Sequence, residues 1–283
     1  MEAAFTACDQ GKSAGLVASL LRSPYVLLIL QLSAFWNVWQ WIGGRITASG
    51  DGGWALLPLL TIIGLAWSIT PKQNSHIDSL SLTFAAVFLL AYAASFAFAP
   101  PLVRSTLAII SITFVLSSWR FERLFHFGVF ALLLLSLPIT ESLNFFLGYP
   151  MRAVVGEAVE FLLNMQGLDV YREGVCLHFG EQLIWIDAPC SGVKMLWFGT
   201  FLAAMLTVLF NVGASRLVAV FGLTFAAILF GNILRASALF YVETGLIVSQ
   251  EWMHSAVGVV SFAITSTLIL VIVKIVSGTK WLK

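Results

Sequence analysis

Apolar and polar positions alternate along this chain in long blocks rather than at helical or strand spacing. Runs free of Asp, Glu, Lys and Arg cover Pro24–Gly44, Trp54–Ile69, Leu80–Ala99, Ser105–Trp119, Leu124–Thr140, Met195–Ser215, Leu217–Leu234 and Ser255–Val273. A helix of about 20 apolar residues crosses the hydrocarbon core of a bilayer, so the pattern predicts about eight transmembrane helices. The second and fourth runs are short, with Trp54 and Arg104 placed to extend them into the interface. Gly-Asp-Gly-Gly at 50–53, Pro71, Pro100-Pro101 and Pro138 punctuate the connections. The turn between the third and fourth runs is tight enough that a single re-entrant unit stands as an alternative.

One long polar segment, Glu141–Pro189, interrupts the series. Over Pro150–Gln166, apolar residues Val154, Val155, Ala158, Val159 and Leu162 form a stripe that leaves Glu157 and Glu160 to one side. This predicts a helix starting at Pro150 and lying in the interface. Beyond Gly167, Val175, Leu177 and Phe179 alternate with Cys176 and His178; a Gly-Glu-Gln turn and Leu183-Ile-Trp-Ile follow. That alternation predicts a small β-hairpin on the outer surface. The expected fold is an all-α membrane protein: a bundle of about eight transmembrane helices, with an interfacial helix and a small hairpin in one outer loop. It forms a single integral membrane domain over 1–283, divided into five spans (24–140), the loop (141–189) and three helices (190–276).

Composition strengthens the membrane reading. Of 283 residues, 59% are hydrophobic and 10% charged, and the mean hydropathy is +0.94. A soluble domain carries about 25% charge. A net charge of +1 offers no basic field for nucleic acid, and three cysteines make no disulfide framework. The polar Met1–Ser23 stretch leads directly into an apolar run, which reads as a retained first span.

Lys and Arg positions set the expected orientation. With the N-terminus inside, the cytoplasmic segments hold Lys12, Arg22, Lys72, Arg120, Arg123, Arg216, Lys274, Lys280 and Lys283. The other face holds Arg45, Arg104, Arg152, Arg172 and Arg235, with Lys194 just inside the sixth run. Both termini are then cytoplasmic and Glu141–Pro189 is external.

This topology gathers three reactive residues. Asp187-Ala-Pro-Cys190-Ser191-Gly192 opens the sixth run from outside, Gly231-Asn232-Ile-Leu-Arg235 closes the seventh there, and His254 opens the eighth. Consecutive antiparallel helices are usually neighbours, so Cys190, Arg235 and His254 are expected at one face and similar depth. A cysteine becomes a nucleophile as its thiolate, favoured at a helix N-terminus or beside Arg or His⁺. Backbone N–H groups after Cys190, with Arg235, suit an oxyanion, and His254 suits proton transfer. Blander readings stand beside these: a cysteine as a small buried hydrophobe, an arginine ending a helix, an interfacial histidine. Asp187 either caps the sixth helix, the favoured reading, or orients His254. Asn232 is placed to hold the Arg235 guanidinium, and Gly231 to permit close packing. Cys8, His76 and His126 fall on the cytoplasmic side. Cys176 and His178 share the outer side as hairpin positions; a Cys176–Cys190 disulfide would block the nucleophile. Trp36, Trp39 and Trp41 read as an interfacial belt.

In these residues the chain resembles the exosortase/archaeosortase family, over about Asn144 to Val273. The shared pattern is Cys190-Ser191-Gly192 at a helix start, Asn232-Ile-Leu-Arg235 in the next helix and His254 opening the one after. The resemblance implies a membrane cysteine transpeptidase of protein sorting, with Cys190, Arg235 and His254 catalytic and Asp187, Ser191, Gly192 and Asn232 supporting. Its implied partners are proteins with a C-terminal tail made of a short motif such as Pro-Glu-Pro, a transmembrane helix and a basic cluster. It implies the cell (inner) membrane, with the active site on the periplasmic or extracellular face. No metal or organic cofactor is expected. Pro189 departs from the small residue usual before the cysteine. The main rival is a transporter or channel with Arg235 and His254 lining a path, although no inverted repeat supports it; a scaffold, needing no reactive thiol, is the third reading.

Overall fold

The computed structural model describes residues 23–48, 52–68, 77–186, 192–247 and 250–278. Its helices resolve into two compact units, Met1–Pro138 and Ile139–Lys283.

The first unit comprises α1 (Pro24–Ala34), α2 (Trp36–Ala48), α3 (Leu56–Ser68), α4 (Ser79–Ala94), α5 (Pro101–Phe121) and α6 (Phe127–Leu135). Proline opens both α1 and α5, where its missing N–H costs nothing because the first-turn donors lack intrahelical acceptors anyway. The first predicted run is two helices, bent by 64° where Phe35 interrupts them. Phe35 is wholly buried and meets the Tyr92 ring edge-on at 4.8 Å, so the bend seats an aromatic side chain in the core. Helices α4 and α5 form an antiparallel pair, with Phe84 and Phe88 stacked on Phe114. Polar side chains tie α1, α4 and α5 together. Gln31 Nε2 donates to Ser111 Oγ at 2.9 Å, and Ser111 Oγ donates to the Ala85 carbonyl at 2.7 Å. Such links matter between apolar helices, where burial in lipid supplies little driving force.

The second unit holds α7 (Thr140–Met165), strands β1 (Val170–Glu173), β2 (Cys176–Phe179) and β3 (Gln182–Trp185), then α8 (Val193–Leu209), α9 (Ala214–Glu243) and α10 (Glu251–Ser277). Helix α7 starts ten residues before the expected Pro150, which lies inside it. Its buried stripe is Met151, Val155, Val159 and Leu163, at i, i+4 spacing, while Val154 is exposed. The expected hairpin is a three-stranded antiparallel sheet in the order β1-β2-β3. Tight turns at Gly174 (φ 63°) and Gly180 (φ 57°) reverse the chain, as two-residue hairpin loops require. The sheet is docked, not suspended: Val170, Leu177 and Ile186 share a buried cluster with Val155, Val159 and Leu163 of α7 and Phe240 of α9.

Helices α8, α9 and α10 pack around Met195, Leu206, Val220, Ile228, Ile269 and Val273. The closest approach is at Gly231 of α9, where any Cβ would overlap Thr265 Oγ1 of α10. Only glycine fits that seam.

The structure is that of a largely helical, multi-pass membrane protein. By length and composition, four helices suffice to cross: Ser79–Ala97, Pro101–Phe121, Ala214–Glu243 and Trp252–Ser277. Counting each of two broken helix pairs as one span raises the number to six. Among the described residues, α3 and α8 are shorter apolar helices that fall below that length, so helix length supports four to six of the eight expected spans.

Candidate active site

Gly192, Asn232, Arg235 and His254 lie among the described residues; Asp187, Cys190 and Ser191 lie outside them, as do Cys8 and His76. Helix α8 begins directly after Gly192, its N-cap, which adopts φ 80°. The capping position expected for Asp187 is thus taken by Gly192, five residues later. Two constraints require glycine there. Its φ is in the left-handed region, which a β-carbon disfavours. A Cβ would also lie 2.7 Å from Asn232 Nδ2 and 3.2 Å from Met151 Cε. The start of α8 therefore rests on Asn232, which is fully buried in α9.

Arg235 follows Asn232 by three residues, on an adjacent part of the same helix face. It does not close that helix. The apolar segment Ala236–Val242 continues α9 to Glu243, anchored by Phe240, which is 1% exposed and packs edge-on with Phe179 of β2 at 5.5 Å. Arg235 sits some two turns inside the helix end, which removes the reading of it as a C-terminal charge balancing the dipole. Its half-buried side chain reaches α10, with Nε 3.8 Å and Cζ 4.0 Å from where a Cβ on Gly258 would stand. A larger residue at 258 would crowd the guanidinium.

Gly258 is four residues after His254, hence on the same face of α10 one turn deeper. His254 and the Arg235 guanidinium accordingly share that face of α10. The start of α10 is fixed by Gln250: its backbone N–H donates to Met253 Sδ at 3.4 Å, and its side-chain oxygen accepts from Trp252 Nε1. His254 Nδ1 faces the Glu243 carboxylate at 3.9 Å, with both side chains about half exposed.

Glu243 is the residue that sequence reasoning missed. It is the single acid in the 30-residue helix α9, and it meets His254 only because α9 outruns the expected span. Gly258 was legible in principle, from its four-residue spacing to His254.

His178 is engaged elsewhere. It lies directly across the ladder from Tyr171, stacked ring on ring at 4.4 Å, with Nε2 3.5 Å from Glu173. Cys176 is buried in β2. Among the described residues, no three histidine, cysteine or acidic side chains gather to hold a metal ion.

The family model for transmembrane exosortases (Exosortase_EpsH) matches residues 22–271, most of the chain. The chain belongs to the transmembrane exosortase family. No curated protein and no solved structure matches it. Membership extends the resemblance seen over Asn144–Val273 back to the first span and displaces the transporter or channel reading.

Proposed function

We propose that this exosortase is a membrane cysteine transpeptidase acting on exported proteins with PEP-CTERM-type C-terminal tails, with Cys190 as nucleophile and Arg235 and His254 as its catalytic partners. The observation that carries the reading is the seating of the Arg235 guanidinium against Gly258, one turn from His254, with Asn232 bridging back to the start of α8. Cys190 lies outside the described residues, two positions before Gly192 in the sequence, and its role rests on the Cys190-Ser191-Gly192 motif.

The chemistry follows from the residue types. The Cys190 thiolate attacks the carbonyl carbon at the cleavage site, forming a C–S bond and an oxyanion. Arg235, with its planar fork of donors, stabilises the negative charge; backbone N–H groups opening α8 add to that field. Collapse of the tetrahedral species re-forms the carbonyl and breaks the C–N bond. The departing amine takes a proton from His254, whose Nδ1 side is held towards Glu243, leaving Nε2 for the reacting atoms. An incoming amine or water then gives a proton to His254 as it attacks the thioester carbonyl, and the C–S bond breaks to regenerate the thiolate. By the distribution of Lys and Arg, the site faces the periplasm or exterior of the cell (inner) membrane, with both termini cytoplasmic.

The test is processing of a co-expressed tail-bearing substrate. Cys190→Ala should abolish processing while the protein stays folded in the membrane, whereas Cys8→Ala and Cys176→Ala should process normally. Undiminished processing by Cys190→Ala would sink the mechanism.

A further inference from the structure

The first unit contains a cavity that none of the sorting motifs explains. It has a volume of about 300 Å³, and its walls include Asn37, Trp41, Tyr92, Phe96, Pro101 and Arg104. Most of this lining is apolar, yet two hydrogen-bond donors in it, Arg104 Nε and the Tyr92 hydroxyl, have no acceptor among the described residues. The Arg104 guanidinium lies 4.6 Å over the Phe96 ring, and its Nε has no acceptor among the described residues. Tyr92 is 4% exposed, held edge-on between Phe35 and Phe96, and its buried hydroxyl has no partner among the described residues.

A guanidinium N–H and a buried hydroxyl without acceptors in apolar surroundings are costly, and ionisable side chains at membrane depth commonly mark functional sites. Within the first unit, the described acids stand far from this cavity. Asp78 precedes α4, so it stands about 20 Å from Tyr92 along that helix, and Glu122 follows α5, about 27 Å beyond Arg104. An anion with several acceptor oxygens would satisfy both donors. Arg matches phosphate through two parallel N–H bonds. Phe96, in the cavity wall, is 44% exposed, and Phe98, two residues on, is 81% exposed; such exposed rings suit a hydrocarbon tail rather than water.

We propose that this cavity binds the phosphate head group of an anionic phospholipid, paired with Arg104 and hydrogen-bonded by the Tyr92 hydroxyl, with an acyl chain lying along Phe96 and Phe98. The volume is at the lower end of ligand pockets, enough for a phosphate and its glycerol.

Native mass spectrometry of the purified full chain in mild detergent tests this, and none of its readouts depends on the catalytic reading. Phosphatidylglycerol, phosphatidylcholine and inorganic phosphate are titrated separately and in competition. The expected result is a 1:1 phosphatidylglycerol adduct, stronger than that of phosphatidylcholine and not displaced by inorganic phosphate. Arg104→Gln should weaken it about 10- to 100-fold, as expected for losing charge-assisted bonds. Tyr92→Phe, which keeps the ring, should weaken it about 3- to 10-fold, and Arg104→Lys should fall between wild type and Arg104→Gln. Equal adducts with both lipids, or displacement by inorganic phosphate, overturn the lipid assignment. Unchanged phosphatidylglycerol affinity in Arg104→Gln overturns the site; if that variant fails to fold, unchanged affinity in both Arg104→Lys and Tyr92→Phe does so.

Discussion

Replacing Gly231 with alanine puts the packing argument under direct strain. Gly231 lies on the α9–α10 seam, one turn before Arg235, and an alanine Cβ there would overlap Thr265 Oγ1 and stand 3.1 Å from Thr265 Cβ. Thr265 is buried, and its hydroxyl is committed to the Ser261 carbonyl at 2.8 Å. The hydroxyl therefore cannot swing away without losing a hydrogen bond in apolar surroundings, worth about 0.5–1.5 kcal/mol. The rest of the strain falls on helix separation, and overpacking of this kind costs about 1–3 kcal/mol. Gly231→Ala should lower stability by about that range, read as a shift of the unfolding midpoint in detergent. Thr265→Ala removes the colliding oxygen but leaves the Cβ contact, so the double variant should recover part of the loss. Because the seam also seats Arg235 against Gly258, substrate processing should fall with stability in the single variant and return with it in the double. An unchanged midpoint in Gly231→Ala, or strict additivity of the two substitutions, would refute the close approach of these helices.

Other expectations bear on individual residues. Arg235→Lys keeps the charge but loses the planar donor fork and should cut turnover by about 10²–10³, the loss of one oxyanion donor; near-normal turnover would reduce Arg235 to a structural cation. His254→Ala should remove most activity, while His178→Ala, whose ring stacks on Tyr171 and faces Glu173, should affect mainly substrate affinity and sheet stability. The reverse pattern in a processing assay would move the proton-transfer role to the sheet. A reporter after Lys283 should read cytoplasmic and one inserted near Gly180 external; the same side for both would contradict the assigned orientation.

The second unit was legible where residues carry their own geometry and obscure where packing decides. Cys-Ser-Gly, Asn-x-x-Arg and the later His could be ordered from sequence, and Gly231 was already assigned to close helix packing. The α7 stripe was found but misassigned in part: Val154 is exposed while Met151 and Leu163 are buried, because two adjacent valines leave the phase of a 3.6-residue period undecided. Strand β1 escaped because Val-Tyr-Arg-Glu carries two charges. Its Arg172 is instead held by Glu160, whose Oε1 accepts from the Arg172 backbone N–H at 3.1 Å. Arg235 was read as a helix end because a charge closes an apolar run, whereas Phe240 and the sheet beneath it extend the helix. The same rule is blind to breaks within a run, such as Phe35 and Ser136. The Glu243–His254 proximity depends on that extension and was invisible for the same reason.

The central claim is that Cys190 forms a covalent link to substrate, and the most direct measurement is capture of that link. Full-length protein co-expressed with a tail-bearing substrate would be denatured rapidly and analysed for an enzyme–substrate adduct sensitive to hydroxylamine, the signature of a thioester. The account predicts such an adduct joined through Cys190, present in Cys176→Ala and absent in Cys190→Ala. An adduct that persists in Cys190→Ala, or processing that proceeds in that variant with no adduct at all, would contradict it.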